Sequence, residues 1–445
     1  MDAPIQQPDT TTIIDAPLQP VTVTFTRDGA PVTDTRVYFQ NADSTVANTL
    51  MTDATGTASS VVGTGGSVTL VDVSVSKSPT QLTTWVGVKP GDHLLLTNNA
   101  PPIATMSIKA PTNPAVDNLA ASYSLYGSCQ AGAPNPVSVG VATGSGTTDV
   151  TFTSVGFDGC ATTDLMVVAN DIDGEPVSYF YLPAQTVADG TTLDLTLAAQ
   201  TYVAPTAHSY NITGFTGQGT MQILDQQAST HGLIYAHYAY QTGDPIVATV
   251  NLPAVTGGKR IIELDDNSTT AMTGRHYIEW GGTLDPYMTD YSSHLLPGFT
   301  STPAIDPATH ILSWTQSGGA VQPDFSVALF FVNGSTSSWQ WNVVGPGPSA
   351  TIQLPTVPTD LADFNVGATD GVFVNSLVTA KVPGGYDAGR QVVFTTTGPH
   401  DFVTGSSGSV VANELLQALV ARPGPTWAGP RVQRPRPRAL THRTR

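Results

Sequence analysis

The sequence predicts an all-β protein: tandem β-sandwich domains, one short C-terminal helix and a disordered basic tail. Three observations carry that expectation. Of 445 residues, 42 are Gly and 34 are Pro, which makes a turn-rich chain that still lies within the folded range. Only five Lys and four Glu stand against 30 Asp, so residues that clothe helices are scarce and residues that cap and turn abound. Apolar residues also recur with period two, the spacing of half-buried strands.

The elements follow in order. Residues 1–17, with a Thr10-Thr11-Thr12 run among Gln, Pro and Asp, look like a flexible polar tether after a cleaved export or lipid-anchor signal. Met1-Asp2-Ala3-Pro4 lacks the basic and apolar regions of such a signal, so an exported protein with a clipped start is expected. Val21-Thr22-Val23-Thr24-Phe25-Thr26 alternates as a strand, Arg27 to Val32 turns, and Thr35-Arg36-Val37-Tyr38-Phe39 returns. Thr52 to Ala58 is a further turn, and residues 67–76 alternate again. Asp28-Gly29-Ala30-Pro31-Val32, the aromatic strand, Thr52 to Ala58 and Gly65-Gly66-Ser67-Val68-Thr69-Leu70 resemble bacterial immunoglobulin-like repeats and related regulatory-like sandwiches of secreted proteins. The resemblance covers residues 18–98.

A second sandwich is expected over residues 99–200, after the linker-like Asn98-Asn99-Ala100-Pro101-Pro102. Its alternating runs are Val137/Val139/Val141, Val150/Phe152 and Leu193/Leu195/Leu197. It holds the only cysteines, Cys129 and Cys160, the count for one bridge in an oxidising compartment; two buried free thiols are the alternative. Residues 201–408 are expected to form a larger β domain. In its second half Ile311-Leu312-Ser313-Trp314, Val327 to Val332, Trp339 to Val344 and Ile352-Gln353-Leu354-Pro355 resemble, in order, a fibronectin type III sandwich. That likeness implies a core role for Trp314. As a whole the chain resembles surface lipoproteins of high-GC Gram-negative bacteria. This implies a cell-envelope place, outer-membrane-anchored or secreted, and supplies no chemistry.

Val411, Leu415, Leu416, Leu419 and Val420 recur with helical spacing, which predicts a helix over 409–421 ending at Arg422-Pro423. Residues 422–445 hold seven Arg, five Pro and no acid, a composition that predicts disorder, whether as a basic arm or a frameshift product. Up to position 421 ten basic residues stand against 34 acidic ones, a net of −24. A body so charged repels phosphate backbones, which excludes nucleic acid as its expected partner. The longest apolar strand-like run, Val327 to Val332, falls far short of the ~20 residues of a membrane span.

Catalytic patterns such as GxSxG, HExxH and GxxxxGK[ST] do not occur. Asp171, Asp173 and Glu175 surround Gly174 as half of a Ca²⁺ loop, without the third acid and the later Glu of an EF-hand; a hairpin turn capped by its own aspartates is the simpler reading. Asp285, Tyr287, Asp290, Tyr291 and His294 form a polar, aromatic loop able to build a metal or sugar site. His276 and Glu279 would share a helix face, but Tyr277-Ile278-Glu279-Trp280 favours a strand, on which the two point apart. From Tyr235 to Tyr240 alternation sets Tyr235 and His237 on one face, Tyr238 and Tyr240 on the other. One face is core, and the other either packs across strands or stacks on sugar rings.

Two functions remain from this reading. The first is a non-catalytic, modular envelope or extracellular protein for binding, adhesion or display, with a surface partner or glycan and no cofactor. The second is an accessory carbohydrate-binding or catalytic part of a secreted polysaccharide hydrolase, which needs two carboxylates flanking a cleft. The lack of catalytic patterns favours the first.

Overall fold

The computed structural model describes residues 19–72, 80–98, 103–131, 135–215, 220–229, 231–266, 273–281, 284–334, 338–395 and 402–415. The tether 1–17 and the tail 422–445 lie outside these residues. The fold is all-β. Among the described residues there is a single α-helix, Gly385–Val392, with a few 3-10 turns, and no helix is long and apolar enough to cross a membrane.

A twelve-stranded sheet forms the frame. Its order is Gly232–Gln241, Met221–Ser229, Lys259–Asp266, Thr273–Gly281, Gly408–Leu415, Gly371–Lys381, Phe325–Asn333, Ser338–Pro346, Thr80–Val88, Gly66–Asp72, Arg36–Gln40, Val46–Met51. Neighbours are antiparallel except Ser338–Pro346 with Thr80–Val88, which run parallel. Phe325–Asn333 carries the longest apolar run and is buried along nearly all its length, because other layers cover both faces of the sheet.

On one face a small sheet of Val21–Arg27, Ala30–Pro31, Thr57–Ser60 and His93–Asn98 packs Val21, Val23, Phe25 and Leu94 against Val37, Phe39, Val68 and Trp85. That core runs on through Val327 and Val378 to Ile278, Trp280 and Val410. On the other face Ala304–Asp306, Ile311–Ser313 and Thr351–Gln353 cover Phe330, Trp339 and Trp341, with Trp314 buried among them. Further along, Thr206–Thr213, Ile246–Leu252 and Tyr287–Asp290 cover Ile223, Ile262, Leu264 and Tyr277. Residues 284–308 therefore contribute short strands and the 3-10 turn Tyr291–His294.

The sequence marks 18–98 as a module of its own, yet Thr80–Val88 pairs with Ser338–Pro346 from Thr80↔Trp339 to Trp85↔Val344. Its sheet and core thus continue into the last part of the chain. Alternation tells which face of a strand is buried, and it is silent on which distant strand lies alongside.

The helix expected over 409–421 requires a correction. Gly408–Leu415 is a strand between Thr273–Gly281 and Gly371–Lys381, while residues 416–421 lie outside the described set. Val410 and Ala412 enter one core and Val411 the opposite one. A run buried on both faces fits a helical period as readily as a strand, and two β-branched residues side by side favour the strand.

Residues 103–194 build two facing sheets. One is Val137–Gly140, Ser122–Gly127, Thr162–Asn170, Pro176–Thr186; the other is Asp149–Asp158, Ile103–Pro111, Thr192–Asp194. Ile108, Leu125, Phe152, Phe157, Val167 and Phe180 fill the space between them. Cys129 and Cys160 are bridged, with Cα atoms 6.5 Å apart at a sequence separation of 31. Replacing both cysteines by Ser is expected to lower the unfolding free energy by about 3.5 kcal/mol through the longer open loop of the unfolded chain. Urea denaturation of the two proteins measures it, and a change near zero would show that the bridge constrains nothing.

Candidate functional site

The far end of the large sheet turns polar on one face. In Ile261-Ile262-Glu263-Leu264-Asp265 alternation sends Ile262 and Leu264 beneath Tyr210 and Tyr287, and Ile261, Glu263 and Asp265 to the opposite side. Ile261 and Ile278 there still belong to the core, but the next positions along the hairpin are Glu263 and then Asp265, in register with His276.

His276 Nδ1 lies 2.7 Å from Asp265 Oδ1 and 3.6 Å from Glu263 Oε1. The side chains of Glu263, Asp265 and His276 are 7%, 14% and 29% exposed, so the trio is shielded but reachable. Burial, helped by the Glu263 charge, pushes the Asp265 carboxyl up to about 6. Burial works to lower His276, but the charge and hydrogen bond of Asp265, seconded by Glu263, hold it well above the usual imidazole range. Gln226 is wholly buried and donates from Nε2 to Glu263 Oε2 at 3.4 Å, while its Oε1 has no hydrogen-bond partner.

The aromatic strand Gly232–Gln241 borders this cluster across Met221–Ser229. Tyr235 is its core side: 3% exposed, with its ring 4.9 Å from that of Tyr126. It packs with Met166 and Val168 of the neighbouring sandwich. Burial lowers His237 on the same side. Tyr238 and Tyr240 take the other side, in register with Leu224 and Gln222, which in turn face Glu263 and Asp265. Burial, followed by the Glu263 charge, pushes the Tyr238 phenol up to about 12, whereas Tyr240 is 54% exposed.

The other sequence candidates are occupied structurally. Asp171 Oδ1 accepts from the backbone N–H of Asp173 and of Glu175, capping its own hairpin, and Asp173 and Glu175 are exposed. Asp285 lies 3.1 Å from His208. Tyr287 and Tyr291 are core residues, and Asp290 accepts from the Ser292 N–H to cap the 3-10 turn. His294 stacks on Tyr277 with centroids 4.1 Å apart. Glu279 points away from His276 and accepts from the Tyr277 and Tyr287 hydroxyls at 3.0 and 3.2 Å.

Reading the HxxE pair along the chain missed the partners of His276, which come from the adjacent strand. The available signal was a pair of acids at alternate positions of an otherwise apolar strand.

No known protein family and no curated protein matches the sequence. Solved structures give weak likenesses. The tip fimbrial protein Mfa3 from Porphyromonas gingivalis, C-terminally truncated, is 12% identical over 55% of this chain and 100% of its own, with a TM-score of 0.17. BcpA, the major pilin subunit of Bacillus cereus, is 10% identical over 55% of this chain and 87% of its own, with a TM-score of 0.14. A tetra-tandem repeat from the extending region of a large adhesion protein is 12% identical over 90% of this chain and 100% of its own, at 0.12. Scores this low carry nothing from those proteins to this one.

Proposed function

We propose that this is a non-catalytic, modular β protein of the cell envelope or exterior that presents a glycan-binding face on a rigid frame. The observation that carries the reading is the open side of Gly232–Gln241, where Tyr238 and the exposed Tyr240 stand beside Glu263 and Asp265 at the end of a sheet buried on both faces. An aromatic face takes the apolar side of a sugar ring. The Cys129–Cys160 bridge supports an oxidising compartment.

The hydrolase alternative draws less support. Glu263 and Asp265 sit on one strand and their ligand atoms, with that of His276, lie within 4.8 Å of one another. Glycoside hydrolysis places its two carboxyl groups on either side of the scissile bond, roughly 5–9.5 Å apart. Here His276 fills the gap in which a sugar would have to sit.

A glycan array probed with the full chain tests the proposal. Changing Tyr238 and Tyr240 together to Ala should cut retained binding by about tenfold, on the order of one stacking interaction per ring. Undiminished binding by the double variant, or no glycan bound by the parent, would sink it.

A further inference from the structure

The trio beside the aromatic face supports a second kind of ligand, independent of any glycan. We propose that Glu263 Oε1, Asp265 Oδ1 and His276 Nδ1 hold one divalent transition-metal ion of the Zn²⁺ class. The first argument is size. Ligand atoms bonded at ~2.0–2.2 Å to a tetrahedral ion stand roughly 3.2–3.6 Å apart. His276 Nδ1 already lies 2.7 and 3.6 Å from the two oxygens, and all three atoms fall within 4.8 Å of one another. Small side-chain rotations therefore complete the geometry.

The second argument is the scaffold. Glu263 and Asp265 alternate on Lys259–Asp266, His276 stands in register with Asp265 on Thr273–Gly281, and both strands lie inside the large sheet. Sites on paired strands hold their donors more firmly than sites on loops.

The third argument is Gln226. It is 0% exposed and donates from Nε2 to Glu263 Oε2. A buried amide thus holds one oxygen of the carboxylate and leaves Oε1 for the ion, the way outer hydrogen bonds orient metal ligands.

The donor set selects the ion. One imidazole nitrogen with two carboxylate oxygens suits a borderline cation, whereas Ca²⁺ takes 6–8 oxygens at longer range. When the ion binds, the Nδ1 proton that bridges to Asp265 passes to solvent and the Nδ1 lone pair goes to the metal; the imidazole keeps its Nε2–H. The exposed side of His276 leaves room for water as the remaining ligand.

Co²⁺ serves as the probe, titrated into the full chain after chelator treatment. The expected result is a visible absorption band that saturates at one equivalent and is displaced by Zn²⁺. His276→Gln and Asp265→Asn should each weaken it about tenfold or more, while Asp360→Asn, remote in sequence and exposed, leaves it unchanged. If the variants fail to fold, proton resonances of a single imidazole shifted by Co²⁺ in the parent protein give the answer. No saturable band, an equal band in folded His276→Gln, no shifted imidazole, or stabilisation by Ca²⁺ and not Zn²⁺ would each overturn the assignment.

Discussion

Arg390→Met is expected to destabilise the protein by about 3–5 kcal/mol, the cost of leaving a buried charge without its partner. Arg390 stands on the helix Gly385–Val392 and is 1% exposed. Its Nε and Nη2 donate to Asp92 Oδ2 and Oδ1 at 2.8 and 2.6 Å, a planar two-bond grip. Asp92 is itself 6% exposed and accepts from the Lys89 N–H at 2.7 Å in the turn before His93–Asn98. Asp387 pairs with Arg390 Nη1 and, at 2.6 Å, with Lys89 Nζ. The guanidinium also lies 5.1 Å above the Tyr386 ring. Removing it strands Asp92, while Asp387 is open enough to find water. Urea denaturation gives the loss, and the double variant Arg390→Met with Asp92→Leu should recover part of it, since two matched apolar groups leave no orphan. Additive losses in the double variant would mean that the pair does not clamp the helix onto the first segment.

That clamp shows where sequence reading ends. Val21, Val23 and Phe25 are legible as a strand because one face is wholly buried and the other carries Thr. The count of two cysteines leaves a bridge or two free thiols, and the 6.5 Å approach of their Cα atoms decides for the bridge. By contrast, nothing in Leu82 or Trp85 announces Trp341 or Val344 as a neighbour, because pairing over such a span is set by the whole core and not by local pattern. The trio was half legible. His276 stands out by type, but its partners Glu263 and Asp265 lie across a hairpin, where only cross-strand register brings them together. Tyr238 and Tyr240 were correctly set apart from Tyr235 by period two. Which side is open became visible only once Tyr126 and Met166 covered Tyr235.

The strand Gly408–Leu415 provides the second large effect. Trp280→Ala is expected to cost about 3–5 kcal/mol, as for other large aromatic deletions in a core. Trp280 is 1% exposed, packs with Ile261, Ile278 and Val410, and donates from Nε1 to the Thr404 carbonyl at 3.0 Å. Its register partner is Gly408, and the indole lies over the place where a side chain would stand: a Cβ there would meet Trp280 Cζ2 at 2.6 Å. Gly408 thus exists for close approach, the role glycine plays inside strands. Gly408→Ala should therefore destabilise by about 1–3 kcal/mol through overpacking, and Trp280→Leu combined with it should cost less than the two single losses summed. Coupling separates the two readings of this segment. Before a helix over 409–421, Gly408 would stand at the N-cap, where Ala costs a modest amount whatever residue 280 is; against the indole in a sheet the loss must shrink once Trp280 is Leu. A Gly408→Ala loss that stays the same in the Trp280→Leu background would return the segment to the helix that its spacing suggests.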